Sequence, residues 1–305
     1  MKLNFKSILI SLTLLCTASY AFSQHDSTWK AGGKFALTFS QVSFSNWAAG
    51  GENSYGGNSM INLFAHYKEG KKIFDTQLDL AYGTLRLNGN HARKTDDKIE
   101  FLSKYGHEIS KNLYASANLK FNTQFYRGFK YPDDSTIVSN FMAPAYVQFG
   151  IGIDFKPSDY FSLSFLPVTG RVTIVTDQLL ADKGSYGVDP AIYDTIGDKL
   201  VQVKKGKNSR FEMGAAMQVL FKKELIKNVA LESKLQLFSN YLENPQNIDA
   251  GWDNILSLKV NKYISSFIGV SMLYDDDITI TDKDGKVGPR TQIKQTFGLG
   301  LAFDF

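Results

Sequence analysis

The chain has few of the residues that most often carry chemistry. It contains only one cysteine and four histidines in 305 residues, and prolines are also few, at seven. Beyond the N-terminal region, no apolar run is long enough to cross a bilayer as a helix. Removing Lys2 and Lys6, which we assign below to a cleaved segment, lowers the formal net charge from +4 to +2. So small an excess indicates no nucleic-acid partner.

The first residues have the pattern of an export signal. Lys2 and Lys6 precede an apolar segment, Ile8–Cys16, that is too short to span a bilayer. Ala21-Phe22-Ser23 has the small residues of a cleavage site, which predicts a signal peptide over 1–23 and a mature chain from Gln24. The mature chain would then lack cysteine, which excludes disulfides, thiolate metal sites and a cysteine nucleophile. We expect export to the envelope of a Gram-negative cell.

The last residues, QIKQTFGLGLAFDF, alternate between apolar and polar or small side chains. This period of two indicates a strand with one apolar and one polar face. A chain that ends on the aromatic residue of such a strand resembles a bacterial outer-membrane β-barrel. The resemblance implies that Phe303 and Phe305 serve as a signal for the barrel-insertion machinery. An edge strand of a soluble sandwich is the alternative.

The same alternation recurs along the whole chain, and no segment indicates a second domain. It predicts an all-β fold, a transmembrane up-and-down antiparallel β-barrel of about twelve strands, with ten or fourteen remaining possible. A cleaved signal at 1–23 and a periplasmic lead-in at 24–33 would precede a barrel domain at 34–305. The predicted strands are 34–44, 59–67, 73–86, 98–108, 113–125, 143–155, 160–175, 209–221, 229–241, 252–262, 263–274 and 292–305.

The predicted connections alternate in length, as in outer-membrane barrels with short periplasmic turns and longer external loops. This sorting places the chain in the outer membrane, with its apolar face against lipid. We expect the external loops, above all Thr176–Asn208, to be where an envelope protein partner would bind. The short connections are 68–72, 110–112, 156–159, 222–228 and 261–262, and the long ones are 46–58, 87–97, 126–140, 176–208, 242–251 and 275–290.

The polar faces of these strands would line the lumen with charges of both signs. Charges in a narrow lumen must pair or stay hydrated, because stranding one of them costs several kcal/mol. The sequence therefore favours a lumen that is largely plugged by paired side chains over a narrow channel for small polar solutes. The strongest candidates for these lumen charges are Asp79, Glu100, Lys104, Arg210, Glu212, Glu232, Lys234 and Lys259.

Signals for catalysis and for metal binding are weak. Ser103 and His107 could share a strand face, which leaves a lipid-modifying enzyme as an alternative, but no acid completes a triad by spacing. Clustered carboxylates at Asp275–Asp277 and Asp282–Gly285 could bind Ca²⁺, although Asp284-Gly285 is also a hairpin-tip signal that needs a positive φ. We favour the turn, and predict no enzyme activity, no metal and no cofactor.

One predicted loop, Gln41–Tyr55, is unusual in its composition. It reads QVSFSNWAAGGENSY and joins Trp47 to Gly50, Gly51 and several amide and hydroxyl side chains. Glycines permit positive φ or close approach of the backbone. The loop is either a structural turn over the barrel or a ligand site. The residues in question are Asn46, Trp47, Gly50, Gly51, Glu52 and Asn53.

This segment resembles the hallmark of the DUF3078 family from Bacteroidetes. The stretches Tyr274–Ile278, Gly288-Pro289, Gln292–Lys294 and Leu166–Gly170 also resemble that family's pattern. The resemblance implies an exported outer-membrane barrel and supplies no activity. The leading hypothesis is a structural or interaction component of the cell envelope with a plugged, polar lumen.

Overall fold

The computed structural model describes residues 28–43, 53–87, 91–131, 133–281 and 285–305. Within these residues the fold is almost entirely antiparallel sheet, and twelve strands close into one barrel. The predicted fold class is therefore confirmed. With strands numbered in chain order, the barrel strands are β1 (Trp29–Val42), β2 (Ser54–Glu69), β3 (Lys72–Leu87), β4 (Arg93–Ser110), β5 (Leu113–Thr123), β8 (Ala145–Ser158), β9 (Phe161–Ile174), β12 (Ser209–Ile226), β13 (Val229–Asn240), β14 (Ile248–Lys259), β15 (Ile264–Tyr274) and β18 (Gln292–Asp304).

The barrel closes where its first and last strands pair. β1 and β18 run antiparallel, with Lys34 opposite Asp304 and Leu37 opposite Leu301. Just beyond that register, the main chains of Gly33 and Phe305 exchange two hydrogen bonds of 2.7 and 2.9 Å. Closure therefore gives every barrel strand a neighbour on both sides, although at this seam the strand pairing is short and extends only from Lys34 to Thr38 of β1.

Tight turns join the strands at one end of the barrel, which we call the short-turn end. Gly70, Asn112 and Asn228 occupy these turns at φ of 53°, 64° and 67°. Glycine and asparagine are the residues that tolerate this left-handed conformation best, which explains the turn positions. The predicted alternation of short and long connections is present in the described part of the chain.

The opposite end, which we call the long-loop end, carries small elements outside the barrel wall. The connection between β9 and β12 contains the short helix α1 (Gln178–Asp182) and a two-stranded hairpin. Asp177 caps the helix, because its carboxylate accepts from the main-chain N–H groups of Leu179 and Leu180. The small strands are β6 (Gly128–Phe129) with β7 (Ile137–Ser139), β10 (Ile192–Ile196) with β11 (Lys199–Lys204), and β16 (Thr279–Thr281) with β17 (Val287–Pro289).

The outward faces of the strands are apolar and exposed. Phe297 is 73% exposed and Phe211 is 62% exposed, and aliphatic and aromatic side chains cover the rest of the barrel surface. Aromatic rings also meet at the short-turn end, in the pairs Trp29–Tyr67, Tyr160–Phe221 and Tyr263–Phe303. An apolar band bordered by aromatic residues is typical of a barrel surrounded by lipid. Within the described residues, no helix has both the length and the apolar character needed to cross a membrane.

Several strand bounds differ from the sequence-based ones. β1 begins at Trp29, inside the expected lead-in at 24–33, and β2 begins at Ser54, inside the expected loop at 46–58. β4 begins at Arg93 and β12 ends at Ile226, both beyond the predicted bounds, whereas β14 (Ile248–Lys259) begins and ends earlier than the predicted 252–262. Several strands are longer than predicted because main-chain pairing continues into segments where glycines and charged residues interrupt the alternation of apolar and polar side chains. Gly32, which pairs with Phe64, is one such position. The expected break at 167–170 is an irregularity within β9, where the registers with β8 and β12 both shift.

Candidate functional site: the barrel lumen

An ion pair crosses the lumen between strands on nearly opposite sides of the barrel. Lys234 on β13 donates a hydrogen bond to the carboxylate of Glu100 on β4. Lys98 approaches the other oxygen of the same carboxylate at 3.5 Å. Glu100 is only 8% exposed, so its charge depends on these partners and not on bulk water. This contact spans the lumen between β4 and β13.

A second group of contacts lies nearer the short-turn end. Lys104 on β4 reaches Asp154 on β8 at 2.9 Å and Ser164 on β9 at 2.6 Å. Asp154 is fully buried, and Ser164 also donates to it. Closer still to the turns, Asp75 binds Lys156 at 2.6 Å and faces His66 Nδ1 at 3.0 Å. These side chains brace one half of the lumen across several strands.

A third group lies towards the long-loop end and centres on Arg171 of β9. Its guanidinium donates to both oxygens of Glu212 at 2.7 and 2.6 Å, and to Asp249 of β14 at 2.6 Å. The guanidinium also stacks over the ring of Phe238, with Cζ 4.0 Å from the ring centroid. Glu212 is 1% exposed, and a bidentate arginine is the partner that best satisfies such a carboxylate. Arg210 lies beside this group and binds Asp277 and Glu243.

The other predicted lumen charges occupy less enclosed positions. Asp79 accepts hydrogen bonds from Asn62 and Gln77. Glu232 pairs with Lys222 at 3.0 Å near the short-turn end, and Lys259 lies 3.6 Å from Asp304. Four members of these groups are absent from the predicted lumen charges: Asp154, Lys156, Arg171 and Asp249. The alternation of side chains could have identified Asp154 and Arg171, whereas Lys156 falls in a predicted turn and Asp249 in a predicted loop.

A chamber of about 240 Å³ lies beside the central ion pair. Its lining comes from β4, β5, β8, β9, β12, β13, β14 and β15, and includes Asp275 and Ile278 of the connection after β15. One wall carries amide and amino groups, and the other is apolar, formed by the buried cluster of Leu166, Ala216 and Phe238. The alternation predicts only polar side chains in the lumen, and this apolar patch differs from that prediction.

Three carboxylates meet at the long-loop end of the chamber. Asp249, Asp275 and Asp276 can bring one oxygen each within 4.8 Å of the others. Burial, reinforced by the charge of Asp249, raises the pKa of Asp275 to about 6. The predicted acidic stretch 282–284 lies outside the described residues. Gly285 next to it has φ of 78° in the β16–β17 hairpin, which agrees with the predicted hairpin turn.

The arrangement of Ser103 and His107 does not favour a catalytic pair. Glu100 and Lys104 on the same strand point into the lumen, so alternation puts Ser103 and His107 on the outward face. His107 is exposed and lies beside the tight turn after β4. The outer-rim site expected for a lipid-modifying barrel would lie at the opposite, long-loop end.

The remaining predicted site residues divide into two groups. Asn46, Trp47, Gly50, Gly51 and Glu52 lie outside the described residues, and of that motif only Asn53 is described. Phe303 and Phe305 lie at the seam between β1 and β18, and both are exposed, Phe305 by 60%. Their role as a signal for the insertion machinery remains a prediction.

A closed antiparallel barrel with an apolar outer face and a charged lumen defines a transmembrane β-barrel of the outer-membrane class. Residues 39–129 match the model of the family described as "Protein of unknown function (DUF3078)", which confirms the resemblance. The match includes the whole loop motif, Gln41–Tyr55, while the similar stretches nearer the C-terminus lie beyond it. No protein with curated information matches the chain.

Solved structures that resemble the chain include three outer-membrane proteins. An outer membrane channel from Pseudomonas putida F1 has 10% identity and a TM-score of 0.40 over 92% of this chain and 97% of that one. The translocator domain of the autotransporter NalP from Neisseria meningitidis has 10% identity and a TM-score of 0.32, over 98% and 96%. The outer membrane channel DcaP of Acinetobacter baumannii has 11% identity and a TM-score of 0.32, over 91% and 97%. Likeness at this level carries no argument about function.

Proposed function

We propose that this protein is an outer-membrane barrel with a sealed lumen that serves as a structural or interaction component of the cell envelope. The contact between Lys234 and Glu100 carries the proposal, because it joins strands on nearly opposite sides of the barrel. A solute passing this level would have to separate a largely buried ion pair. Breaking such a pair costs about 3–5 kcal/mol, which opposes steady flux.

Two further groups of paired charges support the sealed lumen. The contacts around Lys104 and Arg171 use side chains from different strands, with Asp154 and Glu212 almost fully buried. A passive channel needs a continuous hydrated path, whereas here charged side chains meet each other along the lumen. The barrel wall is then a scaffold that holds the external connections in place.

The interaction role rests on the hairpin β10–β11. All residues of its two strands are exposed, and they include Ile192, Ile196, Leu200 and Val203. An isolated two-stranded hairpin is at best marginally stable in water, so contact with another molecule would stabilise it. We propose that this hairpin contacts an envelope protein partner.

Photo-cross-linking in intact cells tests the interaction role. A photoreactive residue in place of Leu200 should give one reproducible adduct, because Leu200 is 72% exposed on the hairpin. Ile226 is similarly exposed, by 69%, but lies at the short-turn end and is the matched control. The same adduct from both positions, or none from Leu200, would contradict the proposal.

A narrow channel for small polar solutes is the second candidate. The chamber of about 240 Å³ favours it, because an empty space inside the lumen is a first requirement for passage. We also propose that a cleaved signal peptide over 1–23 exports the chain and that the insertion machinery acts on its last strand. Sequencing the N-terminus of the membrane-inserted protein tests the first of these: we expect Gln24, and an intact Met1 would contradict it.

A further inference from the structure

The chamber beside the central ion pair is amphipathic. The apolar wall consists of Leu166 on β9, Ala216 on β12 and Phe238 on β13, which are 5%, 7% and 6% exposed. The polar wall comes mainly from β5 and β8, next to β9 in the barrel, and Gln218 and Gln236 add amide groups from β12 and β13. Small-molecule sites combine mostly apolar surface with a few placed polar groups, and this chamber has that composition. The polar wall carries Asn118, Lys120, Asn122, Tyr146 and Gln148.

Lys120 is the unusual member of the polar wall. Its ammonium group donates to the side-chain oxygen of Gln236 at 2.9 Å, and within the described residues no carboxylate lies at ion-pair distance from it. Glu100, the carboxylate with the largest electrostatic effect on Lys120, is already shared between Lys234 and Lys98. Arg171, the other cation of the lining, is neutralised by Glu212 and Asp249.

Lys120 lies among buried charges of both signs. The ammonium groups of Lys98, Lys120 and Lys234 act on one another, and the carboxylates of Glu100, Asp253 and Asp79 belong to the same group of charges. A buried cation that lacks a directly bonded counter-ion costs several kcal/mol, so a carboxylate within hydrogen-bond distance of the Lys120 ammonium group would be stabilised.

We propose that this chamber binds a small amphipathic carboxylate, with its acid group on Lys120 and its apolar part against Leu166, Ala216 and Phe238. The volume sets the size of the ligand. A cavity of about 150 Å³ accommodates benzene, so 240 Å³ accommodates a ring with a short acid side chain. Asp275 and Ile278 line the chamber from the connection after β15, so a ligand that enters from the long-loop end passes this connection.

The binding proposal is independent of the interaction role, because it concerns the lumen and not the external hairpin. It also does not require passage through the barrel, since the ligand can enter and leave at the same end. The Lys234–Glu100 pair stays intact in the bound state.

Calorimetric titration of the purified full-length barrel in a non-ionic detergent tests the proposal. The probe is 3-phenylpropanoate, and 3-phenylpropanamide is its neutral counterpart; titration into protein-free micelles gives the partitioning background. We expect saturable binding of the acid and binding of the amide at least tenfold weaker. Lys120→Met should weaken binding of the acid at least tenfold and leave the amide unchanged. The matched control, Lys259→Met, changes a half-exposed lysine near the short-turn end and should stay within twofold of the unsubstituted protein.

A second substitution tests whether the probes bind inside the chamber and not merely to a positively charged protein. Ala216→Phe places a ring inside the chamber and should abolish binding of both probes, while heat-modifiable migration on a gel shows that the barrel has folded. If Lys120→Met fails to fold, the comparison of acid with amide and the Ala216→Phe variant still decide the question. Absence of saturable binding, equal effects of the two lysine substitutions, or unchanged binding by Ala216→Phe would overturn the proposal.

Discussion

Lys234 on β13 and Glu100 on β4 meet inside the barrel, although their strands lie on nearly opposite sides of the wall and 134 residues separate them in sequence. Both side chains are largely buried, at 15% and 10% exposure. Such a pair fixes the distance across the barrel, because neither charge can retreat into bulk water without losing its partner.

Loss of one partner should therefore destabilise the barrel. We expect Lys234→Ala to lower the free energy of unfolding by about 3 kcal/mol, since it leaves Glu100 buried with only the longer contact to Lys98. Urea unfolding in detergent micelles measures this. Lys222→Ala is the matched control: its pair with Glu232 is 67% exposed on the lysine side and should contribute at most about 1 kcal/mol. Equal losses in the two variants would contradict the role of the central pair.

The seam between β1 and β18 should be sensitive to a side chain at Gly33. A Cβ there would lie 2.6 Å from the ring of Phe305, so Gly33→Leu forces this ring out of its place at the seam. We expect less heat-modifiable barrel in outer-membrane fractions from Gly33→Leu and from Phe305→Asp. Gly251→Leu is the control, because nothing lies within 4 Å of a Cβ at that position. Normal yields from both seam variants would show that this packing is dispensable for assembly.

Stability should also vary with pH through Asp275. Burial raises its pKa to about 6, so the folded protein keeps this carboxyl protonated at pH values where the unfolded chain has lost the proton. Its contribution is complete below about pH 4 and is lost as the pH rises through 6. The free energy of unfolding of Asp275→Asn should therefore not show this decline with pH, which amounts to about 1–3 kcal/mol in the unsubstituted protein.

The control for the pH experiment is Asp133→Asn. The hydroxyl and main-chain N–H of Ser135 hold the pKa of Asp133 well below its usual range, so any contribution to stability is complete above about pH 4 and is lost only as the pH falls below 4. Between pH 4 and 6 this variant should follow the unsubstituted protein. An unchanged pH profile for Asp275→Asn would show that Asp275 does not titrate in this window.

Much of the architecture could be predicted from alternation alone, and the interior could be predicted only in part. The sequence of residues 113–123 predicts strand β5, because nearly every second side chain in it is apolar. Leu166, Ala216 and Phe238 stand at lumen positions where polar residues were expected, and they meet only because strands β9, β12 and β13 are neighbours in the closed barrel. The pairing of Glu100 with Lys234 likewise depends on barrel diameter and strand tilt, which a single sequence does not encode locally.

Orientation in the membrane follows from the two kinds of connection. We expect a tag inserted at Lys183, after α1, to be accessible in intact cells, because long connections of outer-membrane barrels face outward. A tag between Glu69 and Gly70, in a tight turn, should be reached only after permeabilisation. The reverse pattern would invert the orientation, and equal labelling of both would argue against a spanning barrel.

Single-channel conductance in planar bilayers tests the sealed lumen most directly. The purified protein should show no steady current, because the Lys234–Glu100 pair and the groups around Lys104 and Arg171 close the path. The double variant Glu100→Ala/Lys234→Ala should show brief or steady single-channel currents under the same conditions. Steady single-channel currents from the unsubstituted protein would contradict the sealed lumen and favour the narrow channel.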